Sequence, residues 1–276
     1  MEDLNYRETV FSEAVGRWWT AKGANTKSTR SSQGAGRDSN LKGDTMNGFR
    51  DTLRDRLIEV GVSKDDIFYG GQLSKIPANL PSYFRASKNW DILVVKNSLH
   101  KKDSSDMFSQ KGESKLIAAI EFKSQKDSIG KNQNNRIEES IGNAVDFWSS
   151  YENLNFGCLQ PRPWLGYLFI GLYDDDEIGQ PVNVRQPHFC ADEAFQSVEN
   201  QRGPSDFPGP SYAERYRIFF ERMIAKKMYD SACFITTNER LLGEHENYRC
   251  YFPRLSGEKF IDYLLRHVRA YYFDAQ

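Results

Sequence analysis

Residues 89–96 read N-W-D-I-L-V-V-K, and residues 115–125 read K-L-I-A-A-I-E-F-K-S-Q. Both are short apolar runs rich in β-branched residues, the pattern of neighbouring buried strands. Asp91 opens the first run, while Glu121 and Lys123 close the second. Side chains alternate along a strand, so Glu121 and Lys123 share one face and Phe122 points to the other. A buried face carrying a carboxylate and an ammonium needs compensation, because burying charge is costly unless it is paired or metal-bound. A second carboxylate, Asp91, arriving from the adjacent strand completes a site for a hard divalent cation. The bland alternative is an ion pair at a strand end, and the chain holds its own decoy of the same spacing, Glu113-Ser114-Lys115. That copy lies in a polar Ser/Lys/Asp-rich stretch and is expected in a solvated loop. The Glu121 copy ends the apolar run 116–120 instead.

Downstream, residues 124–146 read S-Q-K-D-S-I-G-K-N-Q-N-N-R-I-E-E-S-I-G-N-A-V-D. The pattern predicts a Gly/Asn/Lys loop leading into a helix over 136–151, with Ile137, Ile141, Ala144, Val145 and Trp148 at helical spacing. Upstream, residues 4–19 read as an amphipathic helix. Met46, Phe49, Leu53, Leu57 and Val60 form a second helix, stopped at Gly61. A short strand is expected at 67–69, a buried strand at 165–172 and a long Pro/Gly/acid-rich loop over 174–210. A helix over 212–229, a strand over 232–236 and a closing helix over 258–272 complete the layout. Strands interleaved with helices predict an α/β fold, a central mixed β-sheet flanked by helices on both faces. The whole chain, residues 1–276, is expected to form a single domain, with 20–45 as a basic arm and 98–114 as a loop inserted between the two signature strands.

Composition narrows the class without naming it. Mean hydropathy is −0.68, and the longest near-continuous apolar run, 164–173, is too short for a membrane span. The first residues, M-E-D-L-N-Y-R-E, lack the basic region and apolar core of a secretory signal, so a cytoplasmic location is expected. The four cysteines, Cys158, Cys190, Cys233 and Cys250, include no C-x-x-C pair. Reduced thiols are therefore expected rather than zinc, His188-x-Cys190 being the nearest approach to a ligand pair. A net charge of −1 argues against a protein coated by polyanions, yet a cleft needs basic charge only along its own walls. Residues 17–43 hold Arg17, Lys22, Lys27, Arg30, Arg37 and Lys42 against the single acid Asp38. This arm reads either as a solvated linker or as a segment that orders on a phosphate backbone. No G-x-S-x-G, P-loop or G-x-G-x-x-G is present, so a small-molecule hydrolase finds no support.

Four stretches resemble the XhoI-type family of type II restriction endonucleases, within the PD-(D/E)xK nuclease superfamily. They are W-D-I-L-V (90–94), A-I-E-F-K-S-Q (119–125), N-N-R-I-E-E-S-I-G (134–142) and P-R-P-W-L-G-Y (161–167). The similarity runs from about residue 46 to about residue 238. Two departures stand out: Asp91 and Glu121 lie 30 positions apart, longer than the family pattern, and Trp90 occupies the superfamily proline position. The resemblance implies a restriction-endonuclease-like core and Mg²⁺-dependent hydrolysis of double-stranded DNA. Asp91, Glu121 and the main-chain carbonyl of Phe122 would ligate Mg²⁺, and Lys123 would orient the attacking water. Glu138 or Glu139 could serve a second ion or simply complement the helix dipole. Gln125, Lys126, Asn132, Asn134, Asn135 and Arg136, beside the cutting site, are the expected DNA contacts, since Arg or Lys reads guanine and Asn or Gln reads adenine. The family further implies a palindromic target like CTCGAG cut after the first C, a homodimer to read it, and a companion methyltransferase. Rival readings are a repair, resolvase or transposase-type nuclease, and a non-catalytic DNA-binding module with a degenerate site. The intact Asp91, Glu121 and Lys123 argue against the second.

Overall fold

The computed structural model describes residues 11–20, 46–69, 79–86, 88–97, 114–126, 129–157, 159, 161–181, 210–241 and 247–273. Its elements, in chain order, are α1 (residues 11–20), α2 (Asn47–Glu59), β1 (Ile67–Tyr69), β2 (Asn79–Leu80), β3 (Lys88–Asn89), β4 (Ile92–Asn97), β5 (Ser114–Lys126), α3 (Ile129–Glu152), β6 (Trp164–Leu172), α4 (Asp175–Ile178), α5 (Tyr212–Ala225), β7 (Ser231–Thr237) and α6 (Gly257–Tyr271). The two signature runs pair as expected: β4 lies antiparallel to β5, with Ile92 opposite Ile120. Five strands form one mixed sheet in the order β1-β4-β5-β6-β7, its β5–β6 and β6–β7 pairs parallel.

Every residue of β6 from Trp164 to Gly171 is buried, the signature of a strand covered on both faces. One face, bearing Leu93, Val95, Ala119, Leu165 and Phe169, packs beneath α3 and α5. The other, bearing Ile92, Val94, Ile120, Leu168 and Ile170, packs beneath α1, α2 and α6. On α2 the ion pairs Arg54–Asp51 (3.2 Å) and Arg54–Asp55 (2.8 Å) are solvent-facing, and such pairs are worth about 0–1 kcal/mol each. Burying a leucine is worth about 1.5–3 kcal/mol, so Leu53 and Leu57, both buried, hold the helix. Gly61, at φ 98°, ends α2 where a side chain would be strained.

Register slips between Val94 and Val95, so that Val94 faces Ala118 while Val95 faces Leu116. This bulge places Ile117 and Ala118 on the same face and restores alternation beyond it. Glu121, Lys123 and Gln125 thereby follow Ala119 toward α3 and α5.

Several expectations need correction. Ser114 and Lys115 are not in a solvated loop: they begin β5, opposite Asn97 and Lys96. The expected insert therefore ends at 113, and residues 98–113 lie outside the described residues. The loop expected over 125–136 is largely absent, because Gln125 and Lys126 finish β5 and α3 starts at Ile129. Residues 175–178 form a helical turn within the expected loop, and the ribbon of β2 and β3 was not foreseen. Helix α5 stops at Ala225, short of Tyr229. Residues 1–10, most of the basic arm (21–45), Cys158 and His188-x-Cys190 lie outside the described residues. Cys233 is buried and Cys250 half-buried, both as free thiols. Among the described residues no helix is long and apolar enough to cross a membrane.

Candidate active site

The site forms where β4 ends its pairing and β5 continues against β6 alone. Asp91 immediately precedes β4. Its N–H donates to the Ile120 carbonyl (3.1 Å), and its Oδ2 accepts from the Phe122 N–H (2.6 Å). The N–H and C=O of one strand residue point to the same neighbour, so the Phe122 carbonyl opens on the Asp91 side as well. Glu121 is only 2 % exposed and faces α3. Phe122 enters the opposite core, as strand alternation requires. Trp90, beside Asp91, is buried with its ring edge-on to Phe147 of α3 (5.3 Å, 72°).

Charge is organised as a chain. Lys123 Nζ lies 2.8 Å from Glu121 Oε1 and 2.9 Å from Glu139 Oε1. Arg136 reaches Glu139 Oε2 at 2.7 Å. Lys88, from β3, donates to Glu121 Oε2 at 2.8 Å. Three cations thus alternate with Glu121 and Glu139, and Asp91 lies against the first of these acids. Removal from water and the charge of Glu121 together push the Asp91 carboxyl up, against the Phe122 N–H and both lysines. Burial by itself would lower Lys123, yet Glu121 and Glu139 outweigh it and hold the group above its ordinary value. Lys123 therefore stays an ammonium, fit to orient a nucleophile and offset negative charge but not to remove a proton. Burial likewise would raise Glu139, but Lys123 and Arg136 hold it below the usual range.

Asp91, Glu121 and Lys123 converge as the sequence predicted. Of the two helix acids, Glu139 faces the site while Glu138 is exposed. The expected DNA contacts divide. Gln125 is buried, its Oε1 accepting from Tyr216 OH (3.1 Å), and is not presented to a base edge in this structure. Lys126 and Asn135 are exposed, Asn132 is half-buried, and Asn134 is exposed with its Oδ1 accepting from Arg215 (2.7 Å). Arg136 is half-buried on Glu139. Sequence reasoning missed Lys88; the only available signal was a lysine three residues before Asp91, and the two-residue strand that aims it was not legible.

The donor set can be tested against a metal. Among the described residues no three His, Cys, Asp or Glu side chains cluster as a metal site. Asp91, Glu121 and the Phe122 carbonyl instead offer two carboxylates and one main-chain oxygen, the ligand type a hard divalent cation accepts alongside waters. Burial first, and the charge of Glu121 second, disfavour the ionised form of Asp91, and a cation placed between the two carboxylates would favour it.

Residues 24–248 match the family model described as restriction endonuclease XhoI. The chain is similar to the type II restriction enzyme BstVI of Geobacillus stearothermophilus, 36% identical over 214 residues that cover 75% of this chain and 82% of that protein. It is also similar to the type II restriction enzyme AbrI of Azospirillum brasilense, 32% identical over 193 residues, covering 68% and 76% respectively. With the type II restriction enzyme XhoI of Xanthomonas vasicola it shares 29% identity over 226 residues, covering 81% and 78%. No solved structure matches it.

Proposed function

The chain belongs to the XhoI restriction endonuclease family, and from that premise we propose that it is a type II enzyme making Mg²⁺-dependent, sequence-specific double-strand cuts in DNA. The observation that carries this reading is the convergence of Asp91, Glu121 and Lys123 at one strand junction. A divalent cation held by Asp91, Glu121 and the Phe122 carbonyl would set positive charge against the scissile phosphate and acidify a nearby water. Lys123, clamped by Glu121 and Glu139, orients that water and offsets charge gathering on the phosphorane. The water oxygen bonds to phosphorus and its proton leaves to solvent. The P–O3′ bond breaks, and the departing oxygen takes up a proton. The products are a 5′-phosphate and a 3′-hydroxyl.

Lys126, Asn132, Asn134, Asn135 and Arg136, around the first turns of α3, are the proposed DNA contacts. A palindromic target of the CTCGAG type, read by a homodimer in which each subunit cuts one strand, accounts for double-strand cleavage most simply. A cytoplasmic enzyme of this kind requires a companion methyltransferase to protect its own genome. The test is digestion of plasmid DNA with Mg²⁺ or with a chelator, followed by sequencing of the ends. Discrete fragments sharing one short palindrome at every cut are expected in Mg²⁺ alone. Structure-selective nicking, or ends without a common sequence, would overturn the proposal in favour of a repair-type nuclease.

A further inference from the structure

The reaction above leaves Lys88 without a task, yet its ammonium is enclosed at the heart of the site. It lies 2.8 Å from Glu121 Oε2 and 4.7 Å from the centre of the Trp90 ring, with the side chain 10% exposed. Lys123 caps the other oxygen, Oε1. Both oxygens of a proposed cation ligand are thus already taken by ammonium groups. The two lysines are not equivalent. Lys123 stands in the middle of the main sheet and is held a second time by Glu139 at 2.9 Å. Among the described residues, Lys88 stands on a two-residue strand paired with another two-residue strand, outside that sheet. Asp91 acts on both lysines through space, but the further direct contact of Lys88 is the face of an aromatic ring, a weaker hold than a second directly bonded carboxylate.

We propose that Lys88 is an exchangeable counter-ion of Glu121, which keeps the carboxylate in place while no metal is bound and yields Oε2 when a divalent cation enters beside Asp91. It is a positioning residue, acting through Glu121, and the inference rests on the assignment of Asp91 and Glu121 as cation ligands. Two consequences follow from like-charge repulsion in an enclosed site. Lys88 lowers metal affinity, and it stabilises the protein chiefly when metal is absent.

The test is calorimetric titration of Ca²⁺ into the DNA-free protein, with melting temperatures in chelator and in saturating Ca²⁺. Wild type, Lys88→Gln, Lys88→Arg and, as an exposed control, Lys131→Gln are compared. Lys88→Gln is expected to bind Ca²⁺ at least about tenfold more tightly, the direction set by removal of a competing charge. It should melt below wild type in chelator and recover in Ca²⁺, while Lys131→Gln matches wild type in affinity. Unchanged or weaker binding by Lys88→Gln, or a melting deficit equal in both buffers, overturns the inference and leaves Lys88 a structural residue. If Lys88→Gln does not fold, Lys88→Arg decides. Its guanidinium can grip Glu121 with two parallel bonds, so weaker Ca²⁺ binding supports the exchange and unchanged binding contradicts it. Wild-type protein that takes up no Ca²⁺ defeats the ligand assignment itself, and the inference falls with it.

Discussion

At Asp91, burial and the neighbouring Glu121 push the carboxyl from 3.8 up to about 7, despite the Phe122 N–H and two lysines. A folded-state value above the unfolded one means that the native protein binds this proton more tightly. Its contribution to stability is complete below 3.8 and is lost as pH rises through about 7. A metal competes for the same oxygens, so cation binding should release a proton at pH 6 and none at pH 8.5. Titration of Ca²⁺ in buffers of different ionisation enthalpy measures this; equal proton release at the two pH values would remove Asp91 from the ligand set. Lys123 is also held above its ordinary value by Glu121 and Glu139, which for an amine keeps the charged form. Lys123→Ala should lower the cleavage rate by at least about 10²–10³-fold, as loss of an electrostatic stabiliser does. Ca²⁺-supported binding to specific DNA should survive, and a fall in binding as large as the fall in rate would contradict the assigned role.

Between the residues and the sheet, single elements hold the site in shape. Asp146 of α3 accepts the N–H groups of Tyr83 (2.9 Å) and Phe84 (2.7 Å) on one oxygen and the Arg85 guanidinium on the other (2.6 and 2.9 Å). This ties to α3 the segment that leads into Lys88 and Asp91. Burial would raise the Asp146 carboxyl, but the Phe84 N–H and Arg85 outweigh it and hold the group below its ordinary value. The resulting stability is present above that value and lost as pH falls. Asp146→Ala should cost about 1–2 kcal/mol at neutral pH, because exposed donors of residues 83–85 lose a buried, charged acceptor and fall back on water, with a smaller cost in acid. Denaturant melts at both pH values check this, and a pH-independent cost would contradict it. In β6, a Cβ on Gly166 would come 2.2 Å from the Trp164 ring and 2.8 Å from Phe260. Gly166→Ala should therefore destabilise by about 1–3 kcal/mol. Adding Trp164→Leu should cost less than the two changes summed.

These elements also mark where the sequence was legible. Asp91, Glu121 and Lys123 could be placed because they bound apolar runs whose period is local, Asp91 opening one and Glu121 and Lys123 closing the other. The start of β5 could not, since its residues Ser114 and Lys115 are polar and their pairing with Asn97 and Lys96 spans an insert. The first turns of α3 contain Gly130 and several Asn, poor helix formers. They are helical because Ile129 is buried and Gln133 donates to the Tyr212 carbonyl (3.1 Å), contacts that no local window contains. Lys88 was invisible for the same reason.

For the molecule as a whole, strand and helix periodicity sufficed to predict a central mixed sheet covered on both faces, and the folded chain has that architecture. What periodicity cannot supply is the assembly proposed to meet a two-fold symmetric DNA. With a net charge of −1, binding should depend on a basic surface confined to the cleft. Sedimentation with Ca²⁺ and a duplex containing the cut site should yield two chains per duplex; one chain per duplex would exclude the symmetric dimer. The most direct test of the central claim is a comparison of wild type and Glu121→Ala on the same plasmid under saturating Mg²⁺. The account predicts discrete fragments bearing 5′-phosphates from wild type and intact plasmid from the variant. Cutting by Glu121→Ala at the wild-type rate would show that the strand junction of Asp91, Glu121 and Lys123 is not where DNA is hydrolysed.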